Sequence, residues 1–305
     1  MRPSEYAWLN GEIVPIVEAS PSIATNSFHM ATGVFDGLMA YWNDNHHYLH
    51  FGEAHYERFK ASCEYMDLPF PWSVEQLLEG TRELLRRCSS RTQYIRPIGY
   101  RGGPSVPAIT WRNIDVPVDV CIFAVEVGRD NASPMACQLS QIERVSGRSM
   151  PVSRKACGVY VNSFLAQREA ERVGFDTGLM MDRLGRIAEA STSNVFFIHD
   201  RQLVTPALTP EVFPGVTRRL VLDICERLQL KAIERDVYPE ELGDFQAAFL
   251  CATLIEVRPI SRIGNYVYHS ENSPIFRSIL HEFRQITLGR QPHRIENKVE
   301  YKHIS

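Results

Sequence analysis

Several features are missing from this sequence, and each absence narrows the field. No C-x-x-C pair occurs. The seven cysteines (Cys63, Cys88, Cys121, Cys137, Cys157, Cys225 and Cys251) are odd in number and scattered, which fits a reducing compartment better than a disulfide framework. No excess of positive charge exists: 33 Lys and Arg stand against 36 Asp and Glu, for a formal net charge of −3. Nucleic-acid binding through phosphate contacts needs a concentrated basic face, and no basic run interleaved with aromatics is present. No apolar stretch approaches the roughly 20 residues that span a bilayer. The opening Met1-Arg2-Pro3-Ser4-Glu5 has no apolar signal core behind it. Internal repeats and low-complexity tracts are absent as well. These observations predict a cytoplasmic protein with neither nucleic-acid nor membrane partners. His46, His47 and His50 cluster, but no carboxylate or cysteine set completes a zinc site; they read as surface histidines on a strand, and no metal is expected.

What is present is the composition of a globular protein, 44% hydrophobic and 23% charged, on a chain long enough for two domains. Asn10-Gly11, flanked by alternating residues, predicts a hairpin. Residues 33–42 read as one strand, turned by Asn43-Asp44-Asn45. Helical spacing covers 51–66 and 74–87, and buried strands are expected over 93–100 and 118–127. Residues 128–134 (GRDNASP) have turn composition and predict a linker. Beyond them the pattern restarts with a strand at 138–144. A helix follows over 161–173, with Val161, Phe164 and Leu165 on its apolar face. Short strands are expected at 177–182, 186–190 and 194–198, a helix at 217–228, a strand at 245–252 and a late helix at 274–283. The tail after Gly289 is polar. The reading is an α+β architecture, with a small N-terminal α/β domain (1–127), a linker (128–134) and a larger C-terminal domain (135–305).

Three segments carry chemistry. Lys155 stands in Ser153-Arg154-Lys155-Ala156-Cys157-Gly158-Val159-Tyr160. Alone, a loop lysine is a solvated charge. Here the small residues after it let backbone approach a bulky ligand, Tyr160 supplies a hydrogen-bonding group five residues on, and nearby Arg154 favours loss of the lysine proton. Pro214-Gly215-Val216-Thr217 opens a helix, whose free N–H groups and positive dipole end suit a phosphate; the bland reading is an ordinary cap. Glu189 interrupts the small, apolar run Ile187-Ala188-Glu189-Ala190, where an acid can pair with a protonated pyridine nitrogen; the alternative is a strand-end acid facing water.

Taken together, these segments resemble the class IV aminotransferases, and most closely the branched-chain aminotransferases. The resemblance runs through Trp8-Leu9-Asn10-Gly11-Glu12, Gly33-Val34-Phe35-Asp36-Gly37, His55-Tyr56-Glu57-Arg58-Phe59 and Tyr94-Ile95-Arg96-Pro97. It continues through the Lys155–Tyr160 segment, Gly185-Arg186-Ile187-Ala188-Glu189, Asn194-Val195-Phe196, Pro214-Gly215-Val216-Thr217-Arg218, and Thr253 with Glu256. It implies a two-domain fold with a C-terminal pseudo-barrel, pyridoxal 5′-phosphate between the domains, and a homodimer whose sites lie at the subunit interface. It assigns Lys155 as the catalytic Schiff-base lysine and Glu189 as the acid at the pyridine nitrogen. Tyr160 falls near the ring oxygen; Arg58, Val216, Thr217 and Thr253 fall on the phosphate. Phe35, Tyr94, Arg96 and Leu254 fall on the substrate. The implied reaction moves an amino group between an apolar or branched-chain L-amino acid and a 2-oxo acid, with glutamate and 2-oxoglutarate as the second pair.

The sequence departs from that pattern mainly in the substrate shell. Met30 stands where branched-chain enzymes carry a tyrosine, Met39 where they carry a basic residue, and Asp130 near another pocket tyrosine. Met30 and Met39 are therefore candidate substrate contacts, although methionine is as readily a core filler. These departures leave other uses of the scaffold open: an unusual amino acid, a D-amino acid, an amine, aminodeoxychorismate lyase chemistry, or a non-catalytic relative.

Overall fold

A computed structural model describes residues 2–103, 116–128 and 133–291. The proposed Asp130 contact and most of the linker and tail fall outside them. The first sheet holds β1 (Pro3–Leu9), β2 (Glu12–Pro15), β3 (Val34–Phe35), β4 (Leu38–Asn43), β5 (His46–His50), β6 (Gln93–Arg101) and β7 (Val118–Glu126). Its order is β2-β1-β7-β6-β4-β5, with β3 on β6, and every pairing is antiparallel. Local chemistry sets both hairpins. Asn10 and Gly11 have φ of 50° and 102°, and Asp44 and Asn45 have φ of 48° and 64°. Positive φ at both central positions matches the twist of the flanking strands. A short helix α1 (Asn26–Met30) precedes β3, while α2 (Gly52–Tyr65) and α3 (Val74–Leu85) cover the sheet. A capping box starts α3: Ser73 Oγ accepts from the Gln76 N–H at 3.2 Å, and Gln76 Oε1 accepts from the Ser73 N–H at 2.8 Å.

The single strand expected over 33–42 is divided. β3 and β4 keep one register against β6, with Phe35 opposite Ile98 and Leu38 opposite Ile95. Asp36 still donates its N–H to the Pro97 carbonyl of β6 at 3.0 Å, but the strand is interrupted at Asp36-Gly37, where the fully buried Asp36 carboxylate accepts from the Gly37 N–H at 2.6 Å and from two side chains of α2. The interruption aims an acid inward from a strand that would otherwise be continuous.

The second sheet contains β8 (Met135–Leu139), β9 (Thr177–Met181), β10 (Ile187–Ala190), β11 (Asn194–His199), β12 (Gln202–Pro206), β13 (Ala232–Arg235), β14 (Ala247–Ala252), β15 (Glu256–Ile263) and β16 (Tyr266–Val267). Its order is β10-β9-β8-β15-β14-β11-β12-β13, with β16 on β15. The three-residue link between β10 and β11, closed by an Ala190–Ser193 bridge, curls one end of the path towards its middle and gives the pseudo-barrel. Two apolar cores flank this sheet, one of them shared with α5 (Val216–Arg227) and α6 (Pro274–Thr287).

Three expectations need correction. The strand expected at 138–144 lies earlier, at Met135–Leu139. His47 is 4% exposed and hydrogen-bonds the Arg91 carbonyl at 2.9 Å, so it is not a surface histidine. On α4 (Val159–Arg172) the buried residues are Val159, Ser163, Ala166 and Ala170, whereas Val161, Phe164 and Leu165 are 55%, 58% and 48% exposed. The buried face is small because the helix lies close on β9: a Cβ on Gly178 would sit 2.7 Å from the Ala166 carbonyl oxygen. Large side chains there would hold the helix off the sheet. No helix among the described residues is long and apolar enough to cross a membrane.

Candidate active site

The loop before α4 joins the two sheets. The Phe35 N–H donates to the Lys155 carbonyl at 3.0 Å, the Cys157 N–H to Gly33 at 2.8 Å, and the Gly158 N–H to Ala31 at 3.1 Å. These bonds lay residues 155–158 along the edge of the first sheet although α4 packs on the second. Lys155 is thereby fixed over a cavity of about 260 Å³ whose walls come from both sheets. Its Nζ donates to Tyr160 Oη at 2.7 Å and lies 4.4 Å from the centroid of the Phe213 ring. Lys155 thus lies against aromatic faces in the cavity wall, not free in solvent as a loop lysine would.

Of the predicted cofactor residues, Arg58, Lys155, Tyr160, Glu189, Val216, Thr217 and Thr253 all line this one cavity, and so do Phe35, Tyr94, Arg96 and Leu254 from the predicted substrate set. Met30 and Met39 do not. Met30 ends α1 with 40% exposure, and Met39 is buried within β4. The structure therefore does not bring either methionine to the cavity of a single chain.

Arg58 rises from α2 and is held from behind. Its Nε donates to Asp36 Oδ2 at 2.8 Å and its Nη2 to Oδ1 at 2.7 Å, while His55 Nδ1 lies 2.9 Å from the same Oδ1. Burial pushes the Asp36 carboxyl up, but the Arg58 guanidinium and His55 overcome it and hold the acid well below its usual range. His55 is pushed down by its burial. The guanidinium also lies 4.9 Å from the centroid of the Phe213 ring. Close by, α5 begins at Val216 with no side-chain cap on its first turn, so the first N–H groups of the helix are available to an anion. Gly215 is required at that turn because a Cβ there would collide with Asn194 Oδ1.

Glu189 lies in β10, 4% exposed, and is ringed by donors. Arg144 Nη2 approaches Oε1 at 2.8 Å. Asn194 Nδ2 donates to Oε2 at 3.1 Å, and the Phe213 N–H to the same oxygen at 3.2 Å. Burial dominates and pushes the Glu189 carboxyl up, against the opposing pull of Arg144. On the first-sheet side, Arg96 Nη2 donates to Tyr94 Oη at 3.1 Å, and its guanidinium lies 4.5 Å from the Phe35 ring centroid. Gly37 makes room for Tyr94, whose hydroxyl would collide with any Cβ at that position.

Sequence reasoning missed Arg144, Asn194 and Phe213. Asn194 was visible inside a motif without a role. Its amide links Glu189 to the Phe213 carbonyl at 2.9 Å and packs under Gly215. Arg144 gave no signal, because it lies in an irregular segment and meets its partner only through the tertiary fold.

A two-domain α+β fold, with a lysine, a buried acid and an anion-accepting helix start on one cavity, defines an enzyme that holds a phosphorylated cofactor between its sheets. Comparison with known proteins makes the class specific. The family Amino-transferase class IV matches residues 33–263. A probable branched-chain-amino-acid aminotransferase of Aquifex aeolicus is 35% identical over 284 residues, covering 90% of each chain. The branched-chain aminotransferase of Thermoproteus uzoniensis, solved with norvaline, superposes with a TM-score of 0.89 at 31% identity, covering 94% of this chain and 96% of its own. That of Thermobaculum terrenum, solved in its pyridoxal-phosphate form, superposes at 0.88 with 29% identity, covering 95% and 96%. The chain belongs to the class IV aminotransferase family, and it is a pyridoxal-phosphate-dependent aminotransferase.

Proposed function

We propose that this enzyme transfers the amino group of branched-chain L-amino acids to a 2-oxo acid, with 2-oxoglutarate as acceptor, and that Lys155 is its catalytic residue. The observation that carries the site assignment is the convergence of Lys155, Tyr160, Glu189, Arg58 and the start of α5 on one cavity. This donor set fits pyridoxal phosphate. Arg58 and the uncapped N–H groups of Val216 and Thr217, with the Thr253 hydroxyl, suit a phosphate. Glu189, buried and ringed by donors, suits a ring nitrogen.

When bound, the cofactor supplies a conjugated ring that takes up the electron pair left at the substrate α-carbon. The rest is done by the chain. Lys155 would hold the cofactor through its Nζ, and the same nitrogen, when free, would take the proton from the substrate α-carbon and give it back once the amino group has moved. Tyr160 Oη, 2.7 Å from that nitrogen, accepts a hydrogen bond from it and fixes its direction. Arg96 and the backbone beside Leu254 hold the substrate carboxylate, while Phe35 and Tyr94 shape an aromatic wall.

The branched-chain assignment rests on the relatives and on that wall. Within one chain Met30 and Met39 lie outside the cavity, so the wall that this chain builds keeps its polar groups. The test is conversion of the cofactor absorbance with single amino acids. L-Leucine, L-isoleucine and L-valine should convert it, and turnover should require an added 2-oxo acid. Conversion only by D-amino acids or simple amines, or release of product without acceptor, would reject the assignment.

We also propose a homodimer. The support is the exposed Val161, Phe164 and Leu165 on α4, together with Phe28 (62% exposed) on α1. The two helices are tied by the Gly158–Ala31 hydrogen bond, so these apolar side chains sit on neighbouring elements. Phe164→Glu should shift the sedimentation coefficient from dimer towards monomer; an unchanged dimer would move the interface elsewhere. The proposed domain limits, 1–127 and 135–305, rest on the fact that, among the described residues, neither sheet borrows a strand from the other. A cytoplasmic location rests on seven free cysteines, which a reducing compartment keeps as thiols.

A further inference from the structure

We infer that Arg144 is a positioning residue for the reaction: it orients the Glu189 carboxylate and keeps it charged where the pyridine nitrogen of the cofactor meets it. The inference rests on the proposed role of Glu189. Arg144 and Glu189 are both almost fully buried, and Arg144 Nη2 lies 2.8 Å from Oε1. The guanidinium is held from the other side by α4, where Nη1 donates to Ser163 Oγ at 3.2 Å and Asn162 Oδ1 at 3.4 Å. Asn162 also clasps the backbone around it, accepting from the Val145 N–H at 3.0 Å and donating to the Glu143 carbonyl at 2.8 Å. An irregular segment is thus made rigid around one arginine.

A purely structural tie would not need a charge. Arg144 Nε is buried without a partner, and a desolvated guanidinium with an unmet donor is unfavourable where neutral side chains could bridge the same groups. The carboxylate supplies the reason for the charge. An ionised carboxylate has about four acceptor positions. Asn194 and the Phe213 N–H occupy Oε2, and Arg144 occupies one position on Oε1. The position that remains is on the oxygen Arg144 fixes, and it can accept from a protonated ring nitrogen only while Glu189 is ionised.

The other titratable groups facing Glu189 are Lys155, in the loop before α4, and Cys251, on β14. Burial pushes the Cys251 thiol up and keeps it neutral. A guanidinium keeps its charge throughout, whereas the Lys155 nitrogen exchanges bonds and protons during the transfer, so Arg144 is the permanent cation beside the acid. Without it, burial acts on Glu189 with only Lys155 and neutral donors to oppose it, and the carboxyl is pushed further up.

The test uses two spectroscopic readouts and no turnover. In apoenzyme with carbon-13-labelled glutamate, the Glu189 carboxyl should titrate at least one pH unit higher in Arg144→Gln than in wild type, with Arg144→Lys between them. In holoenzyme reconstituted with nitrogen-15-labelled pyridoxal phosphate, the ring nitrogen should be protonated in wild type, lose that signature in Glu189→Gln, and lose it at neutral pH in Arg144→Gln. Arg144→Lys remains informative if Arg144→Gln does not fold. Ser163→Ala, which removes a tether but leaves the ion pair, should keep the wild-type nitrogen shift. An unchanged Glu189 titration, or a nitrogen shift that responds to Glu189→Gln but not to either Arg144 variant, overturns the role of Arg144. A nitrogen shift indifferent to Glu189→Gln overturns the role of Glu189 and the inference with it.

Discussion

The site contains two buried acid–arginine pairs, and they bias their protons in opposite directions. Asp36 receives two charge-assisted bonds from Arg58 and a contact from His55, and it is held well below the usual carboxylate range. Glu189 receives one guanidinium nitrogen from Arg144 and two neutral donors, and burial pushes it up. The residue types barely differ. What differs is how many charge-assisted bonds offset desolvation. The first pair makes a permanent anion whose work is to aim Arg58. The second makes an acid that burial pushes up and one guanidinium opposes, suited to face a protonated ring nitrogen.

That contrast can be broken by mutation. Asp36→Ala leaves Arg58 buried and unpaired, and should lower unfolding free energy by about 3–5 kcal/mol in urea titrations; a loss under about 1 kcal/mol would show that Arg58 finds water or another partner. Glu189→Gln keeps the shape and removes the charge. It should slow transamination on the order of 100-fold, the scale of losing one preorganised electrostatic contact, while the protein stays folded and binds cofactor. Arg58→Ala should weaken pyridoxal-phosphate binding by about 1.5–3 kcal/mol, the worth of charge-assisted bonds, as read by fluorescence titration of the apoenzyme. Gly215→Ala forces a methyl onto Asn194 and should destabilise by about 1–3 kcal/mol; a thermal midpoint equal to wild type would mean the helix start yields freely.

The pH dependence sharpens the same contrast with the smallest effect. Asp36 has a depressed folded-state value, so the folded protein holds fewer protons there than the unfolded chain. Its stabilisation is present above the ordinary value of 3.8 and is lost as pH falls below it. Glu189 has a raised value, so the folded apoenzyme holds the proton longer, and its stabilisation fades as pH rises past the ordinary value of 4.5. Between wild type and Glu189→Gln the stability difference should therefore move against wild type with rising pH. A difference that stays flat between pH 4 and 8 would contradict the direction assigned to Glu189.

Much of this was legible in the chain, for physical reasons that also explain the gaps. Turns written in Asn, Asp and Gly were readable because their chemistry is local. Lys155, Tyr160, Glu189 and Arg58 were readable because each lies in a short motif. Arg144 was not, since an arginine at the end of an expected strand looks exposed, and its partner stands 45 positions away on another element. The face of α4 was inverted because apolar periodicity reports an amphipathic helix without saying whether the large or the small side faces the sheet. β15 escaped notice because it carries Glu256, Arg258, Pro259 and Arg262, residues that argue against a strand, yet it pairs with both β14 and β8. Met30 and Met39 were assigned to a pocket by position in a motif, and only the fold, which puts one on α1 and the other within β4, shows that they do not reach it within one chain.

The most direct measurement is borohydride reduction of the holoenzyme followed by peptide mapping. The phosphopyridoxyl group should appear on Lys155 and on neither Lys60 nor Lys231, with the label lost in Lys155→Ala. A label on another lysine, or none on a protein that binds the cofactor and transfers amino groups, would contradict the account of the site.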